Sequence, residues 1–186
     1  MSSRDSIIEK IRSLKLDQKL LPEIPNFKGA TDLVQAFCTS IVGNKGEVLS
    51  TEELITKLES GIYPSIFSTD DTFENFSNQA LPVDVHSFAK LDLAILKGQF
   101  AVAENGAIWL DDSDLRLRAI PFITEHLVIV VSRDSLVATM HQAYDRISDQ
   151  HSGFGLFIAG PSKTADIEQS LVIGAHGAKS LMVVLI

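Results

Sequence analysis

Apolar residues along the chain fall into alternating helical and extended patterns. Ile7, Ile8, Ile11 and Leu14 recur at helical spacing near the start, and Leu21-Pro22-Glu23-Ile24-Pro25 follows, where two prolines stop helix continuation. Residues 1–25 therefore read as a helical arm and linker, and residues 26–186 as one α/β domain. A second helix is predicted over Ala30 to Ile41, with Leu33, Val34, Phe37 and Ile41 on one face and Gly43-Asn44 as its stop. Glu47 to Leu49 reads as a short strand. Ser50 then opens a helix, Glu53 completing a capping box and Leu54, Ile55 and Leu58 facing inward; Gly61 ends it before a strand over Ile62 to Phe67. Thr69 to Ser87 is polar and turn-rich, tethered by Phe73, Phe76 and Leu81, and reads as either a lid or a long connection.

Short β segments follow at Leu93 to Leu96, Phe100 to Ala103 and Ala107 to Leu110, the last two joined by a tight Asn-Gly turn, with Trp109 read as a packing residue. His126 to Val131 is a fully apolar strand. Ser132 or Asp134 is placed to cap a helix whose inner face is Leu136, Val137, Met140, Ala143, Tyr144 and Ile147. Gly153 to Ala159 reads as another apolar strand, Gly160-Pro161-Ser162 as the turn that launches a helix through Ile173, and Leu181 to Ile186 as the last strand. Strands this apolar are usually buried on both faces, which predicts a mainly parallel sheet covered by helices.

Composition narrows the partners. Sixteen Lys and Arg oppose 24 Asp and Glu, a formal net charge of −8. Nucleic acid and anionic lipid would be repelled at long range, so neither is expected as a partner. Cys38, the single cysteine, cannot form an intramolecular disulfide or supply the thiolates of an iron–sulfur cluster, so no cofactor is expected through this chain's own cysteines; it reads as a small helix residue. The start lacks a signal-peptide core, and the apolar runs are too short to span a bilayer, so a cytoplasmic protein is expected. His86, His126, His141 and His151 show no paired metal-ligand spacing, and no G-x-S-x-G elbow is present.

Three stretches carry candidate chemistry. In Gly160-Pro161-Ser162-Lys163-Thr164-Ala165-Asp166-Ile167-Glu168, a strand ends in a glycine turn and is expected to feed a helix N-terminus, where free N–H groups, the Ser162 and Thr164 hydroxyls and the Lys163 ammonium can hold a carboxylate or phosphate. Capping explains the same residues equally well: Ser162, Thr164 and Asp166 are good caps, and Asp166 and Glu168 complement a helix dipole. His176, inside Gly174-Ala175-His176-Gly177, is a candidate general acid or base or carboxylate ligand, with a helix C-cap as the structural alternative. Glu104 precedes Asn105-Gly106 and is a candidate nucleophile, base or acceptor, or else a solvated turn residue.

Taken together, Ala101-Val102-Ala103-Glu104-Asn105-Gly106, Gly160 to Glu168 and Leu171-Val172-Ile173-Gly174-Ala175-His176-Gly177 resemble the LUD domain of lactate-utilization proteins, in particular the stand-alone LutC/YkgG type. The likeness runs from about Leu91 to the end. It departs at Asn105, where the family more often has threonine. The resemblance implies a three-layer α/β/α fold similar to the ribose-phosphate isomerase, glucosamine-phosphate deaminase and CoA-transferase superfamily. It also implies a role as accessory, small-anion-binding component of a system that oxidises lactate to pyruvate, with the iron–sulfur clusters on partner proteins. Glu104 and His176 are then expected to converge on one pocket, with Asn105, Gly106, Gly160, Ser162, Lys163, Thr164, Asp166, Glu168, Gly174 and Gly177 binding the ligand. Ala103-Glu104-Asn105-Gly106 also looks like the S-E-N-G stretch of some CoA-transferases, which frames an alternative: a stand-alone transferase or isomerase using Glu104. The redox cofactor and any self-association are left open by the sequence.

Overall fold

A computed structural model describes residues 2–14, 19–20, 22–25, 27–81, 91–147, 153–165 and 171–186. Its centre is a five-stranded, wholly parallel sheet in the order β1 (Glu47–Leu49), β10 (Ser180–Leu185), β6 (His126–Val131), β3 (Leu93–Lys97) and β2 (Ile66–Ser68). The alternation of side chains assigns each strand to two cores at once. Leu127, Ile129, Val131, Leu181, Val183, Leu185, Ala94 and Leu96 face one core with Phe37 and Ile41 of α2 (Leu33–Gly43). Val128, Val130, Met182, Val184, Leu93 and Ile95 face the other, with Leu54 and Leu58 of α3 (Thr51–Glu59) and Phe73. Burial on both faces is why these strands carry almost no polar residue, and the result is a three-layer α/β/α arrangement.

The α2 side carries an addition. β4 (Phe100–Ala101), β5 (Ile108–Asp111) and β7 (Gly155–Ile158) form a small antiparallel sheet over that core. Two short helices, α4 (Asp112–Leu115) and α5 (Ile120–Ile123), follow β5 and seal the core with Leu115 and Ile120. The outer face of the small sheet packs Phe100, Val102 and Trp109 against Ala143 of α6 (Met140–Ile147). Asp111 caps α4: burial pushes its carboxyl up, but the Ser113 hydroxyl and amide, with Gln99 and Asp114, outweigh burial and hold it below the usual carboxylate range.

Local signals are obeyed where the element is self-contained. The Ser50–Glu53 capping box forms in full, and α2 ends at Asn44. A first helix, α1 (Ser3–Ser13), is present with its own Ser2–Asp5 capping box.

Four expectations are corrected. Gly153 to Ala159 contains a strand, but β7 is only half-buried and antiparallel, because its partner is β5 rather than the central sheet. The stretch after β6 is not one helix: Arg133–Ser135 makes a single 3-10 turn, Val137 is extended and bridges Val102, and α6 starts only at Met140. The Val137 amide donates to the Ala101 carbonyl and the Val137 carbonyl accepts from Ala103, so its backbone is claimed by the small sheet; Ser132 makes no side-chain cap, and Tyr144 lies exposed. Gly160-Pro161-Ser162 launches no helix. Lys163–Ala165 (β8) instead pairs antiparallel with Leu171–Ile173 (β9), as the β-branched Thr164, Val172 and Ile173 favour. Finally, the strand expected over Ile62 to Phe67 begins only at Ile66. Within Thr69 to Ser87, Asp71–Phe76 is a 3-10 helix with Phe73 fully buried, Leu81 is half exposed, and residues 82–87 lie outside the described part.

Candidate functional site

Because β4 and β7 run back across the parallel sheet, the turns that follow them lie at the edge where the parallel strands begin. The strand carboxyl ends, where α/β ligands usually sit, are therefore not where the candidate motifs gather. The turn after β4 is closed by the Gly106 amide donating to Val102 O at 2.9 Å and the Ala107 amide donating to Asn105 Oδ1 at 3.0 Å. Gly106 has φ +72° and lies against α2, where a Cβ would come within 3.1 Å of the Ile41 nitrogen. Ser40 Oγ donates to Ala103 O at 2.9 Å, fixing the same turn from α2.

Asn44, the residue that ends α2, connects this turn with the next. Its Nδ2 donates to Asn105 O at 2.7 Å. Its own carbonyl lies 2.5 Å from where a Cβ on Gly160 would stand, and Gly160 has φ +96°. Lys163 folds back so that Nζ lies 3.1 Å from the same point. The sequence marked Asn44 only as a helix stop; its side chain's long-range bond carries no local signal.

The second and third motifs interlock. The Ser162 amide donates to Ala178 O at 2.9 Å, and the Gly174 amide donates to Ser162 O at 2.8 Å. A Cβ on Gly177 would come within 3.1 Å of Ser162 Cβ, so the two loops pack backbone to backbone. They wall a cavity of about 300 Å³ lined by Phe122, Leu127, Leu156 and Ile158 on the apolar side and by Ser162 and His176 on the polar side; Gly160 and Gly177 also line it. A half-buried hydroxyl and an exposed imidazole around an apolar floor, with the Lys163 ammonium beside Gly160 but not among the lining residues, can hold a compact anion and move one proton.

Loop 174–177 is also the wall of a second cavity of about 520 Å³, lined by Asp92, Thr124, Glu125, Gly174 and Lys179. Here Lys179 Nζ donates to Glu125 Oε1 at 2.5 Å and, by that bond and its charge, holds the Glu125 carboxyl below its ordinary range. His126 Nδ1 meets Ser180 Oγ at 2.7 Å nearby. The sequence reading missed Glu125 and Lys179, whose signal was a charged residue at the entry of two adjacent apolar strands.

The remaining candidates are placed as follows. Glu104 does not line the His176 cavity. Its Oε2 accepts the Met140 amide at 2.9 Å, capping the start of α6, and its own amide donates to Ala138 O at 3.2 Å. An unsatisfied helix N-terminus attracts a carboxylate, which explains the placement. Glu104→Ala is expected to lower stability by about 1 kcal/mol, roughly 2–4 °C in melting temperature, while Glu104→Gln, which keeps an acceptor oxygen, melts close to wild type; thermal unfolding of both checks this. Thr164 is paired with Val172 in the hairpin, and Asp166 and Glu168 lie outside the described residues. Cys38 packs half-buried against the α2-side core. Among the described residues no group of three or more His, Cys, Asp or Glu could hold a metal ion, and no helix is long and apolar enough to cross a membrane.

A lactate utilization protein C of Shouchella clausii is 36% identical over 92 residues, 46% of this chain and 40% of its own length. A second, from Oceanobacillus iheyensis, is 29% identical over 104 residues, covering 52% of this chain and 44% of that one, so the chain matches less than half the length of these relatives. A third, from Anoxybacillus flavithermus, is 24% identical over 166 residues, 78% of this chain and 75% of its own. The crystal structure of a DUF162 family protein from Deinococcus radiodurans shares the fold, with a TM-score of 0.60 over 82% of this chain and 95% of that one at 17% identity. The LUD domain model matches residues 31–186, from the residue before the α2 cap to the last residue, and the chain belongs to the LUD domain family.

Proposed function

We propose that this chain is a cytoplasmic component of a lactate-utilization system, binding the carboxylate of a small 2-hydroxy or 2-oxo acid at Ser162, Lys163 and His176. The observation that carries the reading is the cavity that Gly160–Ser162 and His176–Gly177 wall together, in a chain whose relatives are named lactate utilization protein C. Lys163 supplies charge to the carboxylate, Ser162 a hydroxyl, and His176 an imidazole able to take the proton of a substrate hydroxyl. Removing the hydride or electrons of a hydroxy acid requires a redox group; Cys38 alone cannot hold an iron–sulfur cluster, and in this reading partner proteins carry the clusters that the family resemblance implies. Glu104 serves the scaffold in this reading, through its bond to Met140.

The test is anaerobic purification of the tagged chain from its own host, with an absorption spectrum and a lactate-dependent dye-reduction assay. A coloured complex that reduces dye with lactate is expected. A colourless, partner-free protein with no heat of binding for lactate or pyruvate overturns the proposal.

A further inference from the structure

The N-terminal arm and the cleft beside it are both apolar and both open. α1 is encoded at both ends, by the Ser2–Asp5 capping box and by Lys10 and Arg12 in its last turn, yet none of its residues is buried. Ile7, Ile11 and Leu14 are 56%, 62% and 64% exposed. An 11-residue helix is marginal in water by itself, so an apolar stripe at this spacing needs a surface to cover. The chain returns to the body at Phe27, whose ring stacks on His141 with centroids 4.5 Å apart. There the returning segment and α6 bound a cleft of about 490 Å³ whose apolar lining is Ile24, Pro25, Phe27, Met140 and Tyr144, with Asp145 among its polar lining residues. Tyr144 is 64% exposed.

Charge separates the two surfaces further. Residues 1–28 carry six Lys and Arg against four Asp and Glu, a net +2, which leaves ten against twenty, a net −10, on residues 29–186. A basic apolar arm and an acidic body attract one another, and the same acidic body repels an anionic membrane.

We infer that two copies exchange arms: α1 of one copy lays Ile7, Ile8, Ile11 and Leu14 into the Phe27–Tyr144 cleft of the other. A reciprocal exchange about a twofold axis covers two stripes and two clefts at once. The single chain leaves α1 unpacked, whereas the exchange gives its stripe an apolar floor and brings Lys10 and Arg12 to a body of net negative charge, with Asp145 in the cleft itself. The inference does not depend on the ligand cavity.

The test uses the full chain with Cys38→Ser. One tagged version carries Ile11→Cys and a second, differently tagged, carries Tyr144→Cys; they are mixed and oxidised. A disulfide-linked heterodimer is expected, together with sedimentation near twice the 20.3 kDa chain mass and a shift to monomer in Ile7→Asp/Ile11→Asp, whose exposed positions leave the fold intact. Dissociation should increase with salt, because the arm and body carry opposite charge. A cross-linked monomer in the Ile11→Cys/Tyr144→Cys double variant, which would mean α1 docks on its own chain, overturns the inference. So does a dimer that survives Ile7→Asp/Ile11→Asp, or a wild-type chain that stays monomeric at micromolar concentration.

Discussion

Gly160→Ala is expected to lower the melting temperature by about 6–12 °C, from a loss of about 3 kcal/mol in a chain of this length. Two costs act together. The backbone at φ +96° is one that an L side chain rarely adopts, and the new Cβ would stand 2.5 Å from the Asn44 carbonyl oxygen. That oxygen belongs to the C-cap of α2 and cannot swing away like the end of a flexible side chain. Gly153→Ala is the control, because its φ is +78° but nothing lies within 4 Å of its Cβ, so it carries only the conformational cost, about 1 kcal/mol. Equal melting temperatures for the two variants would show that the close approach of Gly160 to Asn44 is not a feature of the folded protein.

His176→Gln and Lys163→Ala are expected to separate the chemistry from the binding at the proposed site. Loss of a general base typically lowers turnover on the order of 100-fold or more, and His176 is exposed, so His176→Gln should show that loss in kcat with little change in melting temperature. Lys163→Ala removes a charge-assisted hydrogen bond, about 1.5–3 kcal/mol or roughly 10- to 150-fold in carboxylate affinity, and should act on KM. Both are read in the lactate-dependent dye-reduction assay. Wild-type turnover in His176→Gln would end the catalytic role, and an unchanged KM in Lys163→Ala would move the anion elsewhere.

Elements whose signals are local were legible in the residues. The α2 stripe of Phe37 and Ile41, the Ser50–Glu53 box and the apolar runs of β6 and β10 each name an element without reference to the rest of the chain. Errors arose where a distant partner decides. Ser162, Thr164 and Asp166 have the spacing of helix caps, but the Ser162 amide is held by Ala178 and its carbonyl by Gly174, twelve or more residues away, and those bonds accompany the pairing of β8 with β9. The apolar run of β7 announced a strand but not which sheet it would join, and Val137 read as helical because nothing near it in sequence records its bridge to Val102. The same limit applies to the candidate site. The residue types around the cavity were legible in their motifs, whereas the engagement of Glu104 by Met140 depends on where α6 begins, 36 residues later.

Asn44 ties the length of one helix to the shape of two turns. A residue inserted before it in α2 would rotate it by about 100° about the helix axis, swinging its amide away from Asn105 and its carbonyl away from Gly160. Chain length is thus fixed between Phe37, which anchors α2 in the core, and Asn44. Around Gly153, where a side chain would meet only open space, extra residues are absorbed without disturbing the cavity. Among related sequences, gaps and insertions should therefore avoid the end of α2 and collect in the approach to β7.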